Sequence, residues 1–340
     1  MASLSCVLEP GTHMHRSPHL HRFLGFTCSV LSLIACGDSG KSPATPAEGS
    51  TSSVAVGAGG AGTGGGAGTG GSSGIDAGAP TYETQFVSAD GFLNRSQPKG
   101  SVQFGVDDPG AEDGKVVTLL FPGDPALGTA DGAGPANASE IDATRKFSFG
   151  TYRTRVKLAR CSATEELVNG IFTYFNDGTD HNGDQIVDNS EIDIEILCSN
   201  PAKISLTIWS QYSSDTKFIK LTRVVDTATG NYSESPNDHE YGLVAKGHDD
   251  AFLHPGFPAA DAFYEMGFEW HADRIRYFIV LDGTEVTLWQ LQDAMHVPQL
   301  DAPFLFNLWH APMDWWTGAS ADYPAADATM SVDWFRYWKE

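Results

Sequence analysis

From about residue 81 onward, short apolar segments alternate with polar turn residues along the chain. Val116–Phe121, Tyr152–Leu158, Gly170–Phe175, Ile192–Leu197, Ile204–Trp209, Phe218–Val225, Phe263–Trp270, Ile275–Leu281 and Ser331–Trp338 are rich in β-branched and aromatic residues, which predicts strands. Asp282-Gly283, directly after IRYFIVL, predicts a hairpin turn. Helical periodicity is scarce: only the stretch around Leu288–Met295 predicts a helical turn or two. Many strands at short spacing, without alternating helices, predict an all-β sandwich or jelly roll rather than a βαβ fold.

The first 80 residues follow a different pattern. Residues 23–35, FLGFTCSVLSLIA, form one apolar run behind Arg16 and Arg22, suited to the core of a signal peptide. The run is too short to span a membrane, which takes about 18–20 apolar residues. It ends Leu33-Ile34-Ala35-Cys36, resembling a bacterial lipoprotein signal in which Cys36 is lipidated and becomes the mature N-terminus. The alternative is an ordinary secretory signal cut near Ala35 or Cys36. Met14 is a candidate initiator, because starting there leaves a compact basic lead. Residues 57–74 contain only Gly, Ala, Ser and Thr, which have no side chains with which to build a core and so predict a flexible linker. Gly57-x-Gly59-x-x-Gly62 matches the dinucleotide-binding pattern by letter alone, with no strand before it or helix after. The chain therefore divides into a signal segment 1–36, a linker 37–80 and a folded domain 81–340.

Charge and aromatic content sharpen this division. Of 37 aromatic residues, 35 follow residue 80, and the formal charge of −22 divides into −1 before residue 81 and −21 after it. So acidic a domain is repelled by phosphate backbones, which excludes nucleic acid as a partner. Two of the five cysteines, Cys6 and Cys28, leave with the signal, and Cys36 is the candidate lipid site. Cys161 and Cys198 remain; in an oxidising compartment they form a disulfide or stay as two buried thiols.

The most informative segment is Glu191-Ile192-Asp193-Ile194-Glu195-Ile196. In a strand, the period of two places Glu191, Asp193 and Glu195 on one face and the isoleucines on the other. Like charges in a row raise one another's pKa, which gains a structural protein nothing but serves chemistry. A retaining glycosidase uses two carboxyls about 5–5.5 Å apart, one as nucleophile and one as acid/base. Glu191 and Glu195 have backbones about 13 Å apart by strand rise, so only long side chains leaning together over a concave sheet would close that gap. An acidic edge strand or a divalent-metal face are the alternatives.

EIDIE among aromatic strands resembles glycoside hydrolase family 16, a concanavalin A-like β-jelly-roll sandwich of two antiparallel sheets. Further segments match that family in order: Phe149–Lys157 (FGTYRTRVK), Gly170–Tyr174, Gly267–Trp270 with Ile275–Gly283, Asn307–Trp309, Asp314–Trp316 and Val332–Tyr337. The resemblance implies Glu191 as nucleophile, Asp193 as its helper and Glu195 as acid/base, in an endo-acting retaining β-glucanase. Aromatic faces suit pyranose rings, which makes Trp209, Trp309, Trp315 and Trp316 candidate sugar platforms. Asn307 is a candidate polar contact, and Trp270, Trp334 and Trp338 are expected in the core. Arg153, Asn189-Ser190 and Thr207 depart from the lichenase pattern at positions expected to line the cleft. A transglycosylase on the same fold and a silent glycan-binding lectin are the alternative functions.

Catalysis of this kind needs no cofactor, but structural calcium is expected at either of two places. Asp180, Asn182, Asp184, the Ile186 carbonyl and Asp188 follow the spacing of an EF-hand-like calcium loop, departing from it at Gln185, where such loops use Gly. The family resemblance adds Asp333 in the last strand. The expected partner is a polysaccharide. Contact with a membrane is expected only through the lipid anchor, at a bacterial outer membrane or cell surface; the alternative is free secretion. A monomer is expected.

Overall fold

The computed structural model describes residues 78–96, 100–127, 138–211, 219–234 and 253–340. The signal segment, Cys36 and the linker up to residue 77 lie outside the described residues, as does Phe218. Among the described residues there are only strands, turns and bends.

Two eight-stranded antiparallel sheets form a jelly-roll sandwich. The first contains β1 (Tyr82–Thr84), β3 (Ser101–Asp107), β4 (Lys115–Phe121), β6 (Gly150–Lys157), β12 (Tyr264–Trp270), β13 (Arg274–Leu281), β14 (Thr284–Gln292) and β16 (Ala328–Lys339). Its order is β14-β13-β12-β6-β16-β4-β3, with β1 also paired to β16. The second contains β2 (Phe92–Asn94), β5 (Ala138–Ala143), β7 (Leu167–Phe175), β8 (Asp188–Leu197), β9 (Lys203–Gln211), β10 (Ile219–Asp226), β11 (Asn231–Glu234) and β15 (Phe304–His310), in the order β11-β10-β9-β8-β7-β15-β5-β2.

Aromatic side chains join the two sheets. Phe304 of β15 stacks on Phe335 of β16 at 4.2 Å between ring centroids, and Tyr152 of β6 stacks on Phe304 at 5.9 Å and on Phe268 at 4.7 Å. Trp270, Trp289 and Trp334 are buried, but Trp338 is only half-buried at the end of β16, where its indole N–H donates to the Gly78 carbonyl at 2.8 Å. The expectation that Trp338 belongs to the core is thus corrected.

The stretch around Leu288–Met295, expected to form a helical turn or two, is strand as far as Gln292, with a turn only at Ala294–His296. β14 pairs with β13 across the turn at Asp282 and Gly283, whose φ values of 51° and 76° suit a tight hairpin. The pairing register shifts between Tyr277 and Phe278, so Tyr277 faces Trp289 and Phe278 faces Thr287. Leu288 is the extra residue, which lets Leu288 and Trp289 both lie buried and breaks the alternation that would have marked a strand.

Cys161, in the loop after β6, is joined to Cys198, directly after β8, by a disulfide with 5.3 Å between Cα atoms. The bond closes a sequence separation of 37 residues, which by chain entropy is worth about 3–4 kcal/mol. Cys161→Ser/Cys198→Ser is expected to lose stability on that order in denaturant melts, and reductant should leave the variant's midpoint unchanged while lowering that of the parent.

Candidate active site

β8 places its isoleucines inward: Ile192, Ile194 and Ile196 are all at most 1% exposed. Glu191, Asp193 and Glu195 therefore share the solvent-side face of the second sheet. Glu191 and Glu195 are half-buried and Asp193 is buried. The isoleucine anchors fix the register that makes the row.

The strand begins with a bulge, because Asp188 faces Gln211 and Glu191 faces Trp209, two positions against one. The bulge brings Asn189 against the row. Its amide donates to Glu191 Oε2 at 2.9 Å, while its carbonyl accepts from the Asn176 amide at 3.1 Å. Ser190 points the other way and donates to the Leu300 carbonyl at 2.6 Å. Asn189 thus holds the Glu191 carboxylate in place. Nothing in the sequence pattern singled it out for that role, since only the bulge brings it there.

Burial pushes the proton affinity of all three acids up. Glu191 rises to about 7, through desolvation first and then the charge of Glu195, opposed by Asn189 and Lys220. Glu195 rises to about 7, through desolvation opposed by Lys220. Asp193 is raised well above the ordinary carboxylate range, by desolvation and by both flanking glutamates. A row that holds protons near neutrality can keep one carboxyl ionised and another protonated at the same pH, which acid/base chemistry requires.

Trp209, opposite Glu191, donates its indole N–H to Asp193 and carries the Lys220 ammonium 4.6 Å from its ring centroid. It is built into the row rather than standing apart as a bare platform. Trp309, Trp315 and Trp316 come together: Trp309 and Trp315 lie 6.0 Å apart and Trp315 and Trp316 6.3 Å, all three half-buried on Val168, Leu197 and Ala311. Val168 faces Leu197 in register, two residues beyond Glu195, so this tryptophan cluster stands at the Glu195 end of the row.

A line of register neighbours runs from Glu195 across Gly170 and Asn307 to Glu140. At Gly170 a Cβ would come within 2.1 Å of Asn307 Oδ1, so the missing side chain is what admits Asn307 beside Glu195. The Asn307 amide donates to Glu140 at 3.3 Å. The parallel line from Asp193 crosses Phe172 and Leu305 to Asp142, which pairs with Arg95 at 3.5 Å. Burial and mutual repulsion raise Glu140 to about 7, and burial raises Asp142 to about 6.

Sequence reasoning missed Glu140 and Asp142, although the chain carries their signal. Ser139-Glu140-Ile141-Asp142 repeats Ser190-Glu191-Ile192-Asp193 letter for letter. In both copies the serine turns inward to a backbone carbonyl, of Leu120 and of Leu300, and the acids turn outward on the same sheet.

Other predicted positions fall elsewhere. Arg153 does not line this face: it lies on β6 of the first sheet, paired with Glu265 and Glu285 and over the Phe278 ring at 4.6 Å. Thr207 does lie beside Asp193, and its backbone carbonyl accepts from the Tyr277 hydroxyl at 2.6 Å. Asp333, expected as a calcium ligand, is fully buried on β16 and bound by Arg155 and by the Glu112 N–H at 3.0 and 3.1 Å. In this structure its carboxylate is engaged by a guanidinium and a backbone N–H.

The 180–188 loop folds on itself. Asp180 accepts from the Gly183 N–H at 2.6 Å and the Gln185 N–H at 2.7 Å, which hold its carboxyl below the ordinary range. Asp184 accepts from the Ile186 N–H and from Gln211, and Asp188 accepts from the His181 N–H and the Asn182 amide. Gln185 sits at φ 74°, the left-handed conformation that glycine would supply in such a loop. Among the described residues, the one set of three His, Cys, Asp or Glu ligand atoms within 4.8 Å of one another is Cys161, Glu166 and Cys198, whose sulfurs are bonded to each other. The loop carboxylates do not converge.

No family model and no curated protein sequence matches the chain. Solved structures do. A Bacillus licheniformis β-glucanase is similar at 18% identity over 77% of this chain and 99% of its own, with a TM-score of 0.47. The apo Crh5 transglycosylase is similar at 17% identity over 77% and 85%, with a TM-score of 0.45. The κ-carrageenase from Pseudoalteromonas carrageenovora, in complex with an oligotetrasaccharide of κ-carrageenan, is similar at 14% identity over 76% and 92%, with a TM-score of 0.45. Identity and TM-score are low in each case, and the chemistry of the site rests on its own geometry.

Proposed function

We propose that the domain is a retaining, endo-acting glycoside hydrolase of the family 16 type that cleaves β-1,3 and/or β-1,3-1,4 bonds of β-glucan. The observation that carries this is the row of Glu191, Asp193 and Glu195 on one sheet face, the two glutamates half-buried and raised to about 7. In the first displacement the Glu191 carboxylate bonds to the anomeric carbon as the glycosidic C–O bond breaks, and Glu195 gives its proton to the departing oxygen. In the second, Glu195 takes a proton from water, whose oxygen displaces Glu191 and restores the free enzyme. Asn189 orients the nucleophile, and Asp193, held by Trp209, stands between the two glutamates.

Five carboxylates on this face, from Glu140 and Asp142 to the row itself, favour an uncharged glycan over a sulfated one. The tryptophan cluster beyond Glu195 supplies apolar faces for pyranose rings. The chemistry draws on no cofactor; a calcium ion in the 180–188 loop would serve the fold alone. In this reading the domain acts outside the cytoplasm as a monomer, tethered by lipid at Cys36 or freely secreted. The test is a polysaccharide panel of lichenan, laminarin, xyloglucan, agarose and carrageenan, scored by oligosaccharide products with and without acceptor sugars. Oligosaccharides from lichenan or laminarin with retained anomeric configuration are expected. Longer products appearing only with acceptor would make the domain a transglycosylase, and binding without products would make it a lectin.

A further inference from the structure

Glu191 faces Trp209 of β9, and Trp209 faces Lys220 of β10. Two strand spacings separate the Lys220 backbone from that of Glu191 by about 10 Å. The lysine nonetheless reaches inward, setting its ammonium 4.6 Å from the Trp209 ring centroid. The same indole donates its N–H to Asp193. A cation on a tryptophan face is a favourable contact of roughly 0.5–2 kcal/mol, enough to fix an otherwise flexible side chain.

We propose that Lys220, lodged on Trp209, is a positioning residue that governs how the carboxylate row holds its protons. Other cations on this face are engaged elsewhere: Lys203 of β9 lies on the Trp316 ring at 5.5 Å and Arg95 pairs with Asp142, which leaves Lys220 as the cation lodged on Trp209. β7 presents Tyr174, Phe172 and Gly170; β9 presents Trp209, Thr207, Ser205 and, past the Glu195 end, Lys203; β10 presents Lys220 and Thr222. From the core side Tyr277 of β13 reaches Thr207, and at the bulge Asn189 reaches Glu191. Farther along the face stand Asn307, Glu140 and Asp142, the last taking Arg95. Glu191, Asp193 and Glu195 are each drawn toward the ionised form by Lys220 against burial, and for Glu191 and Asp193 also against the neighbouring carboxylates. Lys220 therefore offsets part of what burial imposes, so that one glutamate can ionise while its partner keeps a proton. Its effect on turnover rests on the glycosidase reading; its effect on protonation does not.

The experiment pairs Lys220→Met with Lys220→Arg. Losing the positive charge raises the proton affinity of both glutamates, so both limbs of the pH profile of kcat/KM should move to higher pH by about half a unit. Lys220→Arg should restore the parent limbs. The same titrations followed by carboxyl carbon NMR need no substrate and should show the same upward shift. Lys220→Gln repeats the measurement should the methionine variant fold poorly. Unmoved carboxyl titrations, or a changed KM with both limbs in place, would overturn the proposal. Shifted titrations in a protein that cleaves no glycan would sink the glycosidase reading and leave this one standing.

Discussion

Glu191→Gln and Glu195→Gln are each expected to lower hydrolysis of β-glucan by at least about a thousandfold, with the fold intact. Glutamine keeps the shape and the hydrogen-bonding capacity of glutamate but neither attacks an anomeric carbon nor gives up a proton. The two variants should differ in kind. A substrate with a good leaving group needs no proton from Glu195, so Glu195→Gln should still form the glycosyl-enzyme and then stall, whereas Glu191→Gln should not form it. Mass spectrometry of the intact protein would show the adduct in the first variant alone, and near-normal activity in either would end the assignment. The parent's pH profile should be a bell centred near neutrality, because Glu191 and Glu195 both rise to about 7 and interact. Its two limbs belong to the pair rather than to either residue.

Stability should move in the opposite direction. An acid whose proton affinity is higher in the fold than in the unfolded chain contributes stability below its unfolded pKa and loses it as pH rises through the folded value. The row therefore weakens the domain between about pH 4 and neutrality. Each glutamine variant removes one such group and should melt higher than the parent at pH 8, with the gap closing at pH 4. That exchange of stability for function is expected where like charges are held together for chemistry.

The row was legible because strand period alone sorts EIDIE into two faces, and the isoleucines leave no doubt which face is inward. β14 was not, because the single extra residue at Leu288 replaces alternation with adjacent buried side chains. The place of Arg153 is not legible from a motif resemblance either: a matched position gives neither the sheet its strand joins nor the acids, Glu265 and Glu285, that hold it there. Asn189 and Lys220 reach the row through a bulge and a cation–indole contact, neither of which has a sequence period. The repeated Ser-Glu-Ile-Asp was legible in principle, but only the pairing of β5, β15, β7 and β8 makes the two copies neighbours on one face.

Arg155→Met is expected to destabilise the domain by about 3–5 kcal/mol, the usual cost of leaving a buried charge without its partner. Asp333 is fully buried, its proton affinity raised by desolvation even while Arg155 and the Glu112 N–H favour its ionised form. Without Arg155 that affinity rises further, so the deficit should be greatest above neutral pH and shrink in acid, where the carboxyl accepts a proton. Urea melts of parent and variant at pH 5 and pH 8 would measure both. Arg155→Met/Asp333→Leu should recover most of the loss, because removing both partners removes the buried charge with its counter-ion. The other arginines of this sheet face share their acids: Glu285 serves both Arg153 and Arg276, and Arg336 spans Glu83 and Glu112. Losing one of those contacts leaves other charges in place, whereas Asp333 has Arg155 as its one ion-pair partner among the described residues. If Asp333 bound calcium instead, Arg155→Met would melt like the parent, and chelator would lower both.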